Sequence, residues 1–167
     1  MSPELRPFDA SLASIVVAWA SSPREGDRWA SVGEATEQTM ARWHAETGVH
    51  PFVLVVDGSP RGYGEVWEDP DEDEAELGRV IVDPEVRGRG LGRLLVTLLA
   101  ERARELGYDQ IWVRVVPTNR AATTCYARAG FVRAPRELEA AFNVGQPRRY
   151  VWMRLHDDDA GVPRSGP

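Results

Sequence analysis

The residues with the most chemical consequence sit at one turn, where Arg87-Gly88-Arg89-Gly90-Leu91-Gly92 is followed by Arg93. The β-branched run Val80-Ile81-Val82 and the pair Asp83-Pro84 come before it, and a leucine-rich segment comes after. The order reads as a strand, a proline-stopped turn, a glycine loop and a helix. Glycine lets the backbone come close to a ligand because no Cβ stands in the way. A helix start offers unpaired N–H groups and a partial positive charge, which suit an anion such as a phosphate. A basic turn before an ordinary surface helix is the plainer alternative, but three glycines alternating with arginines favour an anion site. Two familiar phosphate loops do not fit. A P-loop needs Gly-Lys-Ser/Thr at its end, and a dinucleotide fingerprint needs G-x-G-x-x-G, whereas the spacing here is G-x-G-x-G with arginine at position 93.

A second stretch, running from Asn119 to Phe131, has helical spacing. Ala122, Cys125, Tyr126 and Ala129 fall on one face, and Gly130 is placed to end the helix. In such a face Cys125 reads as a small core residue rather than an acyl carrier. His44, His50 and His156 have no metal-ligand spacing with it, so no metal is expected.

Together the two stretches resemble the GNAT superfamily of N-acetyltransferases. The R-x-x-G-x-G pattern after a strand is similar to that family's acetyl-coenzyme A loop. Asn119, Ala122, Tyr126, Gly130 and Phe131 match its N-x-x-A-x-x-x-Y-x-x-x-G-F pattern without a gap. The resemblance implies that acetyl-coenzyme A is the co-substrate. Backbone N–H groups of Arg87, Gly88, Arg89, Gly90, Leu91, Gly92 and Arg93 would cradle the pyrophosphate. Val80, Ile81 and Val82 would bind pantetheine through their backbone, with one N–H polarising the thioester carbonyl. Asn119 would contact the same arm, and Tyr126 would point its hydroxyl at the sulfur. A tyrosine, with pKa about 10, is a weaker acid than a thiol at about 8.5, so full proton transfer to a free thiolate is uphill by roughly 2 kcal/mol. Tyr126 is therefore expected to hydrogen-bond the sulfur as charge develops.

The acceptor amine needs a base. A lysine-like amine at pH 7 lies about 3.4 units, or roughly 4.6 kcal/mol, from its reactive neutral form. By resemblance the base is Glu76, on the strand before the loop and eleven positions before Arg87. Glu65, on the preceding strand, is the second candidate, Glu74 the third, and a water chain remains open.

Composition sets the outer bounds. At 167 residues, 43% hydrophobic and 28% charged, the chain reads as one globular domain. No apolar run approaches the roughly 18 residues of a membrane span, and the N-terminus lacks a signal-peptide core. The single cysteine, Cys125, permits no intrachain disulfide. A cytoplasmic protein without a membrane partner is expected. The net charge of −6 argues against nucleic acid and is compatible with a cationic amine acceptor. Acids crowd at Glu68-Asp69, Asp71 to Glu74 and Asp157 to Asp159 and read as solvated loops.

Periodicity and turn residues place strands at about residues 5–8, 52–56, 62–67, 76–82, 111–116, 131–132 and 149–155. Helices are expected over about 10–20 with Asp9 as N-cap, 33–46, the leucine stripe from 91 to the stop at Gly107, and 120–129. Residues 21–26 read as a break punctuated by Pro23 and Gly26, and 135–147 have no clear pattern. The fold class is α+β: a GNAT-like mixed, mostly antiparallel sheet with about four flanking helices, in one domain over 1–155. The tail 156–167 is expected to be disordered. By resemblance, the strand before the loop and the strand after the third helix begin paired and then splay, leaving a gap for pantetheine. The expected function is acetyl transfer to a primary amine, of a small cationic molecule or a protein, by direct attack in a ternary complex. A coenzyme A-binding module without catalysis is the alternative, and a homodimer is compatible with the family.

Overall fold

Asp57 and Gly58, both at positive φ (50° and 79°), form the tight turn that a two-residue hairpin requires. It joins β2 (Val49–Val56) to β3 (Ser59–Asp69). A second hairpin, through the acidic turn at 70–73, joins β3 to β4 (Glu74–Val82). With β1 (Pro3–Pro7), β5 (Gln110–Val115), β6 (Phe131–Arg133) and β7 (Val151–Leu155), they make a seven-stranded sheet in the order β1-β2-β3-β4-β5-β7-β6. Every neighbouring pair is antiparallel except β4 with β5. The computed structural model describes residues 2–31 and 33–156, so the expectation for the tail falls outside the described residues from position 157 on.

Six α-helices cover the two faces. On one side lie α4 (Leu91–Glu105) and α5 (Arg120–Arg128), where Leu95, Val96 and Leu99 of α4 are completely buried against Leu54, Val66 and Ile111. On the other lie α1 (Ala13–Trp19), α2 (Pro23–Ala30) and α3 (Glu37–His44), whose Val16, Trp29, Met40 and Trp43 pack with Tyr63 and Ile81. Beside them a smaller aromatic group, Trp112, Tyr150 and Trp152, is covered by Phe142 of α6 (Arg136–Phe142).

Two helices depart from the sequence reading. Pro23 does not break a helix but starts one. It stands at the first turn of α2, where its missing N–H costs nothing, and Ser22 caps the helix by accepting from Glu25 N–H. Gly26 lies inside that helix for a packing reason: a Cβ there would stand 1.8 Å from the carbonyl oxygen of Gly33. The segment without clear pattern contains α6, which buries a charged residue, Glu139, and exposes Leu138, so no apolar stripe marks it. The described residues therefore carry six α-helices rather than about four.

Gly26→Ala should lower stability. Better helix propensity is worth about 1 kcal/mol in its favour, but a clash with fixed backbone costs about 1–3 kcal/mol or more. A urea unfolding midpoint at or above that of the parent protein would contradict this account.

Candidate active site

The central feature of the site is a fork. β4 and β5 pair only at Glu74–Gln110, Ala75–Ile111 and Glu76–Trp112, after which the strands diverge. The rest of β4, from Leu77 to Val82, has β3 on one side and an open edge on the other. Such an edge presents N–H and C=O groups to whatever enters.

A β-bulge reshapes the same strand. Glu65 pairs with Gly78 and Tyr63 with Ile81, so β4 carries one residue more than β3 between those pairs. Arg79 sits there at φ 48°. Without a bulge, side chains would alternate strictly along β4. With it, Ala75 and Leu77 are followed by Val80 and Val82 on the α4 face, while Ile81 turns to the α1–α3 face.

Arg79 is held firmly. Its guanidinium donates to Glu65 Oε2 at 2.8 Å and lies over the rings of Trp43 (4.2 Å) and Trp67 (4.8 Å). Its carbonyl accepts from Trp29 Nε1 at 2.7 Å. The Trp67 ring lies so close across β4 that a Cβ on Gly78 would come within 2.2 Å of it. Glu65 also accepts from the Tyr63 hydroxyl and from Trp67 Nε1, and Tyr63 in turn meets His44 Nε2 at 2.9 Å. Glu65 is fully buried, with 0% exposure. A carboxylate so enclosed and so bonded has no access to an acceptor amine, so Glu65 is a structural anchor.

Glu76, at the apex of the fork, is placed otherwise. It faces the same side of the sheet as Trp67 and Arg114, and Arg114 grips it through Nε (2.5 Å) and Nη2 (3.2 Å). Burial pushes its carboxyl above the usual range, and the guanidinium of Arg114 pulls in the opposite direction. Arg114 is kept in place by Gln146 Oε1 (3.0 Å) and lies over Trp67, Tyr150 and Trp152. Glu74 is also pushed up by burial, but it lies at the start of β4, away from the cavity described next.

A cavity of about 220 Å³ fills the fork, and Glu76, Val80, Asn119 and Tyr126 all border it. Tyr126 is a buried residue of α5 whose ring packs on Phe131, 5.9 Å between centroids. Among the described residues its hydroxyl has no hydrogen-bond partner. Burial is the main reason that hydroxyl is held well above the ordinary tyrosine range, with the charges of Cys125 and Glu76 adding to it. Asn119 caps α5, its Oδ1 accepting from Ala122 N–H at 3.2 Å, which leaves its amide hydrogens available.

The glycine loop stands at the far end of β4, outside the cavity lining. Gly88 and Gly90 have φ 77° and 83°, and nothing lies within 4 Å of where their Cβ atoms would be. Gly90 precedes α4 without a side-chain cap, so the first turn of the helix keeps its N–H groups uncapped. Arg89 and Arg93 are exposed, whereas Arg87 is folded back onto Val82 O (3.0 Å) and Glu25 (3.5 Å). Leu91 points into the core, so only its backbone can serve the loop. Gly92 lies inside α4, where a Cβ would come within 3.2 Å of Cys125 Sγ. Glycine and cysteine thus let α4 and α5 pack closely, and burial holds the Cys125 thiol above its usual range.

The Acetyltransferase (GNAT) family profile matches residues 15–131. The chain belongs to the GNAT family. The mycothiol acetyltransferase of Geodermatophilus obscurus is 35% identical over 125 residues, covering 70% of this chain and 38% of that protein. That of Kytococcus sedentarius is 33% identical over 109 residues, covering 64% and 36%. The chain therefore spans little more than a third of the length of these relatives. Among solved structures, AAC(6')-Ib in complex with ribostamycin and coenzyme A superposes with a TM-score of 0.75 at 20% identity, over 93% of each chain. A chimera of the spermidine N-acetyltransferase SpeG from Vibrio cholerae gives 0.69 at 19% identity, over 93% and 95%. At such identities the likeness shows the GNAT fold alone.

Sequence reasoning did not single out Arg79 or Arg114. A signal for Arg114 existed, since it is the one charge within Ile111-Trp112-Val113-Arg114-Val115. A charge inside a buried strand needs a partner. Arg79 had no such mark, because a bulge cannot be read from a single strand.

Glu65→Gln should destabilise the protein by about 3–5 kcal/mol, the cost of leaving a buried charge such as Arg79 poorly paired. Chemical denaturation measures it. An unchanged unfolding midpoint with lost turnover would instead make Glu65 a base.

Proposed function

We propose that the protein is an acetyl-coenzyme A-dependent N-acetyltransferase acting on a primary amine in a ternary complex. The observation that carries this reading is the fork cavity, bordered at once by a free tyrosine hydroxyl, a partly buried carboxylate and an unpaired strand edge. Its relatives are named as acetyltransferases, which supports the same reading.

The chain's own groups fit acetyl-coenzyme A. The open edge at Val80, Ile81 and Val82 matches the amide-bearing pantetheine arm, and the side-chain amide of Asn119 faces the same gap. The uncapped N–H groups of the loop from Arg87 through Gly88, Arg89, Gly90, Leu91 and Gly92 to Arg93, with the exposed guanidiniums of Arg89 and Arg93, suit a pyrophosphate. Acetyl-coenzyme A supplies an activated acyl group and a thiolate leaving group. Glu76 takes the proton of the attacking amine, directly or through a water, as the N–C bond forms and the C–S bond breaks. A strand N–H polarises the carbonyl oxygen. Tyr126 donates its hydroxyl hydrogen bond to the sulfur, where the released proton finally resides. Raised by burial, Glu76 is a stronger base than an exposed carboxylate, and Arg114 keeps it oriented.

A coenzyme A-binding module without catalysis is the second reading. It has no use for an unpartnered tyrosine and a carboxylate at one cavity.

A panel of amines with acetyl-coenzyme A, followed by free-thiol release, decides between the two: turnover is expected, and tight cofactor binding with no turnover would favour the module. In the active protein, Tyr126→Phe should slow kcat by about tenfold to hundredfold. A hydrogen bond to a charged group is worth about 1.5–3 kcal/mol. The dissociation constant of coenzyme A should change little, and unchanged kcat would remove Tyr126 from the mechanism.

The base has its own pH signature. Because Glu76 holds its proton to higher pH than an ordinary carboxyl, kcat/KM should rise with pH along a limb whose midpoint lies above the usual 4.5. Glu76→Gln should lower the rate and abolish that limb. Retention of the limb would assign the base elsewhere.

A further inference from the structure

Three arginines border the cavity, Arg28, Arg79 and Arg114, against one carboxylate, Glu76. Two of the three are matched. Arg114 is paired with Glu76, and Arg79 with the sealed Glu65 and, at 3.5 Å, with Glu46. Arg28, in the last turn of α2, is different. Among the described residues no carboxylate pairs with it. The acid preceding it, Asp27, is taken up bidentately by Arg148 at 2.7 and 2.8 Å. Near Arg28, the Ser31 hydroxyl meets the Tyr150 hydroxyl at 3.2 Å, which ties the end of α2 to the strand side of the cavity. The unmatched guanidinium belongs to an exposed residue at the rim of the cavity.

We infer that the acceptor is a small amine carrying a carboxylate beside its nitrogen, of the free amino acid class, with Arg28 receiving the carboxylate. This rests on the acetyl-transfer reading above and names the acceptor for the same site. An arginine fork matches a carboxylate with two parallel, charge-assisted hydrogen bonds. The aromatic rings of Trp67 and Tyr150 on the wall suit an apolar remainder. The volume of about 220 Å³ lies below the roughly 300–1,000 Å³ of sites for drug-sized ligands, which selects a small acceptor. The charge pattern disfavours polyamines and aminoglycosides. Their additional ammonium groups would face guanidiniums here, whereas a carboxylate cancels the one unmatched positive charge. The chain's overall charge of −6 therefore misleads about the site, whose lining holds three arginines and one carboxylate. The same cations help the chemistry, since positive neighbours lower the pKa of an amine and favour its reactive neutral form.

The test compares the common amino acids, each beside its methyl ester, with spermidine and kanamycin, using acetyl-coenzyme A and thiol release. At least one amino acid should exceed its ester in kcat/KM by about tenfold or more, equivalent to about 1.4 kcal/mol. Arg28→Gln should raise the KM of that amino acid and collapse the acid-to-ester ratio, and Arg28→Lys should recover part of it. Titration of the coenzyme A-loaded protein with the amino acid, followed by NMR, reads binding apart from turnover. Esters or polycations turned over as fast as acids would overturn the assignment while leaving acetyl transfer intact. A rise in the KM of acetyl-coenzyme A in place of that for the amino acid would also overturn it, by placing Arg28 on the co-substrate. Bound acetyl-coenzyme A with no turnover of any acid, ester or polyamine would overturn both readings.

Discussion

The buried ion pair between Arg79 and Glu65 holds the site together. An arginine at a positive φ in the middle of a strand is strained, and such strain persists only where the surroundings over-determine it. Here they do. Glu65 fixes the guanidinium from one side, Trp43 and Trp67 enclose it, and Trp29 holds the carbonyl of the same residue. The bulge that results lets one strand serve two faces. Before it, Glu76 looks toward the α1–α3 side; beyond it, Val80 and Val82 seal the α4 side while the backbone edge stays open. An unbulged strand of the same sequence would turn Arg79 toward the α4 core and bring Val80 and Val82 out of it.

The fork itself depends on the interruption of pairing after Glu76 and Trp112. Parallel strands that stayed paired would leave no gap, and the groups of β4 would be spent on β5. Instead, β7 satisfies β5 from its other side through Val113, Arg114 and Val115. The free edge of β4 is thus affordable only because each of the two strands keeps one complete partner. Helix α5 then approaches the gap from the α4 side. Its close seat on α4 rests on a glycine opposite a cysteine, Gly92 against Cys125. A bulkier pair would push α5, and with it Tyr126, away from the fork.

Much of this was legible in the sequence. The glycine loop, the capped α5, the hairpin at Asp57-Gly58 and the leucine stripe of α4 carry local signals whose physical reason lies within a few residues, and each is found where its spacing puts it. What escaped was set by partners far apart in the chain. Pro23 reads as punctuation until Ser22 is seen to cap the helix that it begins. The helix α6 is short, and only Phe142 and Glu139 turn inward, the latter to bind Arg133. The different settings of Glu65 and Glu76 could not be read from spacing, since both are strand acids and only the family resemblance ranked one above the other. Only the contrast between a fully enclosed carboxylate and one at a cavity wall separates them.

That contrast gives the two ion pairs different physical meanings. A buried pair is seldom a gain in stability over apolar packing, because desolvation of both charges offsets their attraction. Glu65 and Arg79 give a fixed bend in return for that cost. Glu76 and Arg114 lie on the cavity wall, where the carboxylate is partly buried and the guanidinium is shared with three aromatic rings and Gln146. Under the proposed mechanism this balance is useful. Burial raises the pKa of the Glu76 carboxyl, and the Arg114 guanidinium pulls it back down. Burial with a laterally held arginine leaves a carboxylate fixed at the cavity wall and more basic than one in water.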